Sequence, residues 1–466
     1  MEKYSFPFPP YNIQVNLMDE IQACVKNKQI GIFESPTGTG KTLSVICSLL
    51  TWLEQEEKDR RDKLEKEIHK PMEDSKSQDD WVEAHRRKLE ATKEKEAVSE
   101  QLDVLKRIDQ KLENARNNQI DLSRKRKNRG EIDEINDLLE EDKKKDVDDL
   151  APVENYDSDD GASTSKNDEE VPEVSCLKIF YASRTHSQLD QLVNEIKKTR
   201  FHPRVVTCAS RAVLCVNENV RKLKASTLIN ERCMELRKNT STDNNAKRAV
   251  DENGKEKKKN KCCGESKTCE FNSGVAIEEL SNGILSSSLT SSQEVIGQAK
   301  RVVGCSYYAV RKSIPLCQLV LLPYQVLLHE KTRKAWGIDL KDNVIVLDEA
   351  HNVLNTIGSL YSSEITLTSL QDALKLIREY IETYKFRLLA KNLLYMRKLQ
   401  LVTNSLVQFL QKGHSDELLT IPSLVVKLNI VEVNLFKLID YIERTDLCRK
   451  FHGFHLKALK NVSFHN

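Results

Sequence analysis

The chain has 466 residues, of which 31% are charged, and at roughly 150 residues per domain it has room for about three domains. Its 73 basic and 71 acidic side chains cancel to a formal net charge of +2, so overall charge names no partner and only its distribution informs. The first residues, "MEKYSFPFPPYNIQ", hold no apolar run of signal-peptide length. The most apolar stretch, 317–328, is broken by Pro323, Tyr324 and Gln325 and falls short of the roughly 20 residues of a membrane span. The expectation is a soluble, intracellular protein without a membrane partner. Its twelve cysteines are then no disulfide framework but buried thiols with a subset of metal ligands.

In chain order, Leu17, Ile21 and Cys24 share helical spacing, and "QIGIFE" at 29–34 reads as a short buried strand. From 58 to 171 the chain becomes a charged, low-complexity insert. Its first part pairs Glu with Lys and Arg at helical spacing, with Leu102, Leu105 and Leu112 in heptad-like positions. That part predicts a solvated helix or short coiled coil, and the acidic part after it reads as disordered. At 176 a strand, a turn and an amphipathic helix follow. The polar segment 238–261 predicts a flexible loop, 318–329 and 343–354 are further buried segments, and 365–447 is dense in Leu, Ile and Lys, which favours helices. There is no internal repeat.

Two motifs carry nucleotide chemistry. "SPTGTGKT" fits G-x-x-x-x-G-K-[ST] except at its first position, which is Ser35. Ser35, Pro36, Thr37, Gly38, Thr39 and Gly40 form the candidate phosphate loop. Gly38 and Gly40 let backbone N–H groups turn toward phosphate oxygens, Lys41 reaches the β- and γ-phosphates, and the Thr42 hydroxyl binds Mg²⁺. The helix starting near Lys41 adds its positive end. "VIVLDEAHN" places Val344, Ile345, Val346 and Leu347 ahead of two carboxylates. In this Walker B reading Asp348 holds Mg²⁺ through water and Glu349 orients the attacking water. His351 is a candidate for coupling the nucleotide state to a neighbouring domain.

Between Arg211 and Tyr307 lie six cysteines: Cys215, Cys233, Cys262, Cys263, Cys269 and Cys305. Spacing alone allows four of them to bind a metal, and the absence of a C-x₂-C pair argues against a zinc ribbon. Buried or free thiols are the alternative, and Cys317, on an apolar segment, reads as core.

The pair of nucleotide motifs resembles a superfamily 2 helicase of the DEAH type. "FPFPPYNIQ" at 6–14 is similar to the adenine-side motif of the XPD/FANCJ/ChlR branch, which implies Gln14 as the adenine reader. "YASRTHSQLDQ" at 181–191 is similar to that branch's motif Ia, which implies DNA-backbone contacts from Arg184, Thr185 and His186. "LVLLPYQVLLH" at 319–329 and "DEAHN" complete that branch's set, and "FPFPPYNIQ", "LINERC" and "AKNLLYMRKL", with the long insert, are most similar to the ChlR type, linked to sister-chromatid cohesion. The branch carries a four-cysteine [4Fe–4S] domain at this point in the chain. The resemblance implies Cys215, Cys233, Cys269 and Cys305 as ligands. Glu270 and Ser306 stand where members commonly have Pro, and Cys262 and Cys263 rival Cys269 for the third place.

The resemblance implies ATP, Mg²⁺ and a [4Fe–4S] cluster as cofactors. It also implies single-stranded and forked DNA as partner, cohesion or replication proteins besides, 5′-to-3′ polarity and the nucleus. "RKRKNR" at 124–129 reads either as a nuclear-localisation signal or as a solvated charge run, and the lysines of 255–261 as phosphate contacts or a flexible loop. The expected fold class is α/β, a RecA-like P-loop parallel sheet divided into 1–57, 172–211 and 306–360. It is interrupted by the insert at 58–171 and by an iron–sulfur domain at 212–305, and a helical arch portion follows at 361–466. No motif of a second RecA-like domain is visible, so a fragment, short isoform or truncated gene model is expected. Three functions stay open: the N-terminal half of an ATP-dependent DNA helicase, a non-catalytic ATP- or DNA-binding regulator, and a metal-binding interaction protein with a vestigial phosphate loop.

Overall fold

The computed structural model describes residues 3–36, 38–69, 81–126, 175–223, 225–246, 268–287, 291–413, 418–445 and 447–463. They form two compact units, Met1–Leu360 and Tyr361–Asn466.

In the first unit, helices α1 (Asn12–Lys26), α2 (Lys41–His69) and α3 (Trp81–Arg126) precede strand β1 (Ile179–Ser183). Helix α4 (His186–Ile196) leads to β2 (Val205–Thr207). Six helices come next: α5 (Arg211–Leu214), α6 (Glu218–Arg221), α7 (Ser226–Ala246), α8 (Gly274–Leu285), α9 (Ser292–Val302) and α10 (Ser306–Ser313). Strand β3 (Leu319–Pro323) runs straight into α11 (Tyr324–Leu328) and α12 (Glu330–Ala335), then β4 (Val344–Leu347) and α13 (Val353–Leu360) close the unit.

The strands form one parallel sheet in the order β2–β3–β1–β4, with Tyr181 in register with Leu321 on one side and Val346 on the other. Every residue of β1 and β2 is buried, as a parallel sheet covered on both faces requires. Side chains alternate between the faces. Ile179, Tyr181, Val205, Leu319 and Leu321 pack with Met18, Ile46, Leu49 and Leu192 from α1, α2 and α4. Phe180, Ala182, Val206, Val320 and Leu322 pack with Ile108, Ile284, Tyr307 and Tyr324 from the opposite layer.

The strand expected at 29–34 does not form. That segment is irregular, with Ile30 97% and Ile32 96% exposed. A strand needs a neighbour to take its backbone N–H and C=O groups, and among the described residues none pairs with it. Among the described residues β4 pairs with β1 alone, and its Ile345 and Leu347 are exposed.

Two charged segments form helix, the first as its spacing predicts and the second in place of part of an expected loop. Helix α2 crosses residue 58 without a break. The Leu seam of α3 faces the sheet layer rather than a second coil: Ile108, Leu112 and Ala115 are buried, Leu105 packs beside them, and Arg61 grips Asp109 with two hydrogen bonds of 2.6 and 2.8 Å. Segment 238–261 begins as the last turns of α7. Its remainder lies outside the described residues, as do 127–129 of the basic run and all of 255–261.

The second unit holds α14 (Leu367–Tyr384), α15 (Ala390–Gln411), α16 (Ile421–Lys427), α17 (Leu435–Arg444) and α18 (Leu447–Ser463). Leu370, Leu374, Ile377 and Ile381 line one stripe of α14, and the Tyr395 ring stacks on Tyr441 with centroids 4.4 Å apart. Among the described residues no helix is long and apolar enough to cross a membrane.

Candidate nucleotide and metal site

The phosphate loop needs its glycines for their backbone. Gly38 has φ +81° and Gly40 φ +69°, a region side chains disfavour. At Gly40 space is lacking too, since a Cβ there would lie 2.8 Å from Gln14 Nε2. The loop is tied to itself: Lys41 Nζ donates to the Ser35 carbonyl at 2.8 Å, the Ser35 and Thr39 hydroxyls are 2.7 Å apart, and Thr39 Oγ1 donates to the Pro36 carbonyl at 2.9 Å. Thr37 lies outside the described residues.

Gln14 sits against this loop. Its Oε1 accepts from the Tyr11 backbone N–H at 2.9 Å, closing the first turn of α1, and its Nε2 donates to the Thr39 carbonyl at 2.8 Å. Buried with both polar atoms engaged, it fixes the loop to α1.

The acidic motif grows out of the sheet. The Asp348 backbone N–H donates to the Ala182 carbonyl at 2.9 Å, extending the ladder one residue past β4. The chain then turns sharply, with Glu349 at φ +56°, the kind of strain that persists where surroundings over-determine it. His351 Nδ1 lies 3.6 Å from a Glu349 carboxylate oxygen, its Nε2 lies 2.8 Å from Asn352 Nδ2, and Asn352 Oδ1 accepts from Arg184 Nη1 at 3.4 Å. Arg184, exposed at the end of β1, is thereby linked to the turn that follows the acidic pair. Thr185 caps α4 and accepts from the Gln188 backbone N–H at 3.3 Å, and His186 is the first residue of that helix.

Two tyrosines join the motifs. Tyr181, in the middle of β1, has Thr42 and Asp348 as polar neighbours of its phenol. Burial first, and the Asp348 charge second, hold its phenol far above the usual range, so it stays a donor. Tyr324, at the end of β3, is fully buried, and its hydroxyl has no partner among the described residues. Burial pushes it up to about 12, and the charges of Asp348 and Glu349 add to the rise. Sequence reasoning gave neither tyrosine a role, because an aromatic on a buried strand reads as core. Mg²⁺ keeps several waters and takes few protein ligands beside phosphates, so Thr42, Asp348 and two neutral donors form a set that fits it.

The four cysteines implied for a cluster come from separate elements. Cys215 ends α5, Cys233 lies in α7, Cys269 precedes α8 and Cys305 caps α10. They converge: Asn217 Nδ2 lies 3.6 Å from Cys269 Sγ, and Cys305 feels the charges of Cys233, Cys215 and Cys269. Burial pushes Cys215 up to about 11 and Cys305 up to about 12. The Arg211 guanidinium stacks 4.3 Å from the Tyr307 ring and interacts with Cys233, which brings a buried cation to the thiols. Among the described residues no three His, Cys, Asp or Glu side chains stand close enough for one metal ion. A four-iron cluster spreads its thiolates wider than a single ion does, and four convergent thiols beside a cation fit such an anionic group. Cys262 and Cys263 lie outside the described residues, and Cys317 is buried in the core.

A two-faced parallel sheet, a glycine loop opening α2 and a carboxylate pair beyond β4 define a P-loop protein with a helicase-like α/β core. The DEAD_2 family model matches residues 181–370. The chain is 50% identical to ATP-dependent DNA helicase chl-1 of Caenorhabditis elegans, across 99% of this chain and 56% of that protein. It is 35% identical to ATP-dependent DNA helicase DDX11 of Danio rerio, across 97% of this chain and 54% of that protein. With ATP-dependent DNA helicase DDX11 of Homo sapiens the identity is 33%, across 97% of this chain and 51% of that protein. These matches support the ChlR-type helicase family, and the chain spans about half the length of these relatives.

Proposed function

We propose that this chain is the ATP-binding part of an ATP-dependent DNA helicase. Ser35–Thr42 cradle the triphosphate, Lys41 contacts its β- and γ-phosphates, Thr42 and Asp348 hold Mg²⁺, and Glu349 orients the attacking water. Gln14 reads adenine, Arg184, Thr185 and His186 contact the DNA backbone, and His351 couples nucleotide state to a neighbouring domain. The observation that supports this reading is that Thr42 and Asp348, one from each motif, are both neighbours of the Tyr181 phenol.

Cys215, Cys233, Cys269 and Cys305 hold a [4Fe–4S] cluster in this reading. The cluster supplies a rigid cross-link to a segment with little core of its own. The resemblance extends the proposal to unwinding of forked duplexes in the 5′-to-3′ direction, in the nucleus, in genome maintenance that includes sister-chromatid cohesion.

The test is binding of a fluorescent ATP analogue to the purified 466-residue chain, with and without Mg²⁺ and single-stranded DNA. Tight Mg²⁺-dependent binding, lost in Lys41→Ala, is expected. A folded chain that ignores the analogue at millimolar Mg²⁺ overturns the proposal. Binding of nucleotide without any response to DNA favours a regulatory module instead.

A further inference from the structure

Asn217 touches two of the four cysteines proposed as cluster ligands, and no motif gives it a role. Its amide Nδ2 lies 3.6 Å from Cys269 Sγ, and its backbone carbonyl accepts from the Cys215 thiol at 3.9 Å. We propose that Asn217 is a positioning residue of the cysteine site: its side-chain N–H donates to the Cys269 sulfur, holds that sulfur in place as a ligand, and favours the reduced, more negative state of the bound cluster. The proposal rests on the iron–sulfur reading above.

The donor is held in its orientation. Asn217 is buried and is the N-cap of α6, where its Oδ1 accepts from the backbone N–H groups of Asn219 at 3.0 Å and Val220 at 3.4 Å. Turning the amide over would set its NH₂ against two backbone donors. With the oxygen fixed on the helix, the nitrogen is fixed on the sulfur. The turn itself is anchored by packing. Val220, in α6, forms a small apolar cluster with Ile229 and Leu236, and both Cys215 and Cys269 pack against it.

A thiol sulfur is a weak acceptor, whereas an ionised acceptor makes a hydrogen bond roughly twice as strong. Iron–sulfur clusters hold their cysteines as thiolates, and hydrogen bonds to the sulfurs help set their potentials. The Asn217 contact therefore strengthens when the site is loaded, and strengthens again when an added electron raises the negative charge on sulfur. Asn217 acts through Cys269 and not on the iron. Its contact also favours Cys269 as the third ligand.

The experiment uses the full 466-residue chain, purified anaerobically, with iron and sulfide analysis followed by a redox titration read by electron paramagnetic resonance. Asn217→Ser keeps a capping oxygen and removes the N–H that reaches Cys269. It should move the reduction equilibrium about tenfold toward the oxidised cluster, a fall of about 59 mV for a one-electron couple. Asn217→Asp keeps the cap and sets a carboxylate beside the sulfur, so its fall should be larger still. A residue that only caps α6 would be replaced by either without any change of potential. If Asn217→Ser does not fold, Asn217→Asp decides alone. Reduction equilibria within about twofold of wild type, with iron and sulfide retained, overturn the proposal and leave the cluster reading standing. A folded wild-type chain that holds no iron or sulfide overturns the cluster reading and this role with it.

Discussion

Gln14 and Thr39, 25 residues apart in sequence, are joined by a 2.8 Å hydrogen bond from the glutamine amide to the backbone carbonyl of the phosphate loop. The same side chain accepts from the Tyr11 backbone N–H. Gln14→Glu keeps the acceptor and sets an oxygen against the Thr39 carbonyl. It should weaken nucleotide binding about tenfold, in line with the loss of a buried hydrogen bond and the repulsion that replaces it. Circular dichroism should be unchanged. Calorimetric titration with ATP checks this, and an affinity within about twofold of wild type would show that the contact does not shape the loop.

Gly40 and Gly38 separate two kinds of glycine requirement. Both carry positive φ, so alanine costs about 1–2 kcal/mol of backbone strain at either. At Gly38 a Cβ meets nothing within 4 Å, whereas at Gly40 it would press on Gln14 Nε2 at 2.8 Å. Gly40→Ala should therefore weaken ATP binding at least about tenfold more than Gly38→Ala. Equal losses in a paired titration would place the whole cost in the backbone.

The third ligand of the proposed cluster can be decided by spectroscopy. Cys269 lies beside Asn217 and Cys215, packed on the small cluster of Val220, Ile229 and Leu236. Anaerobically purified Cys269→Ala should lose the visible absorption of an iron–sulfur cluster and most of its iron and sulfide. The double variant Cys262→Ala, Cys263→Ala should retain both. The reverse outcome would move the ligand to the vicinal pair.

What the sequence makes legible is chemistry with a fixed spacing. The Gly40-Lys41-Thr42 run and the Asp348-Glu349 pair announce themselves, because phosphate and metal dictate which residue types stand where. Structure that depends on a distant partner is not legible in this way. Residues 29–34 read as a short buried strand, but composition alone supplies no neighbour, and among the described residues the segment stays outside the sheet. The tyrosines show the opposite failure. Tyr181 and Tyr324 look like core because they are core, and only the geometry reveals that their hydroxyls end beside Thr42, Asp348 and Glu349.

The helical character of α3 is legible in its spacing, but its charges hide its contact with the core. Its surface is dominated by Lys, Arg and Glu, and its contact with the sheet layer rests on Ile108, Leu112 and Ala115, spaced four and three apart. Ile108 is only 3% exposed, so Ile108→Ala should cost about 2–4 kcal/mol. The bidentate Arg61–Asp109 pair beside it is half exposed and worth far less. Urea unfolding checks the order. A loss below about 0.5 kcal/mol for Ile108→Ala would mean that α3 leaves the core freely.

Cys47 makes alkaline stability a readout of packing. Its thiol is fully buried between α2 and the sheet, and burial raises it from an ordinary 9.0 to about 12. Between those values the folded chain keeps a proton that the unfolded chain has lost. The unfolded state then binds fewer protons, so stability falls as pH rises, by up to about 1.4 kcal/mol per pH unit for one thiol. The contribution is intact below pH 9 and disappears as pH approaches 12. Cys208 and Cys317, also raised by burial, steepen the fall. Lys178 opposes it, since burial lowers its ammonium below 10.5 and its unfolded form binds the extra proton up to that value. Cys47→Ala removes one titrating thiol, so the wild-type advantage in urea midpoint at pH 8 should shrink by about 1–2 kcal/mol by pH 10.5. An advantage that stays constant over that range would mean that Cys47 ionises in the folded chain as readily as in the unfolded one.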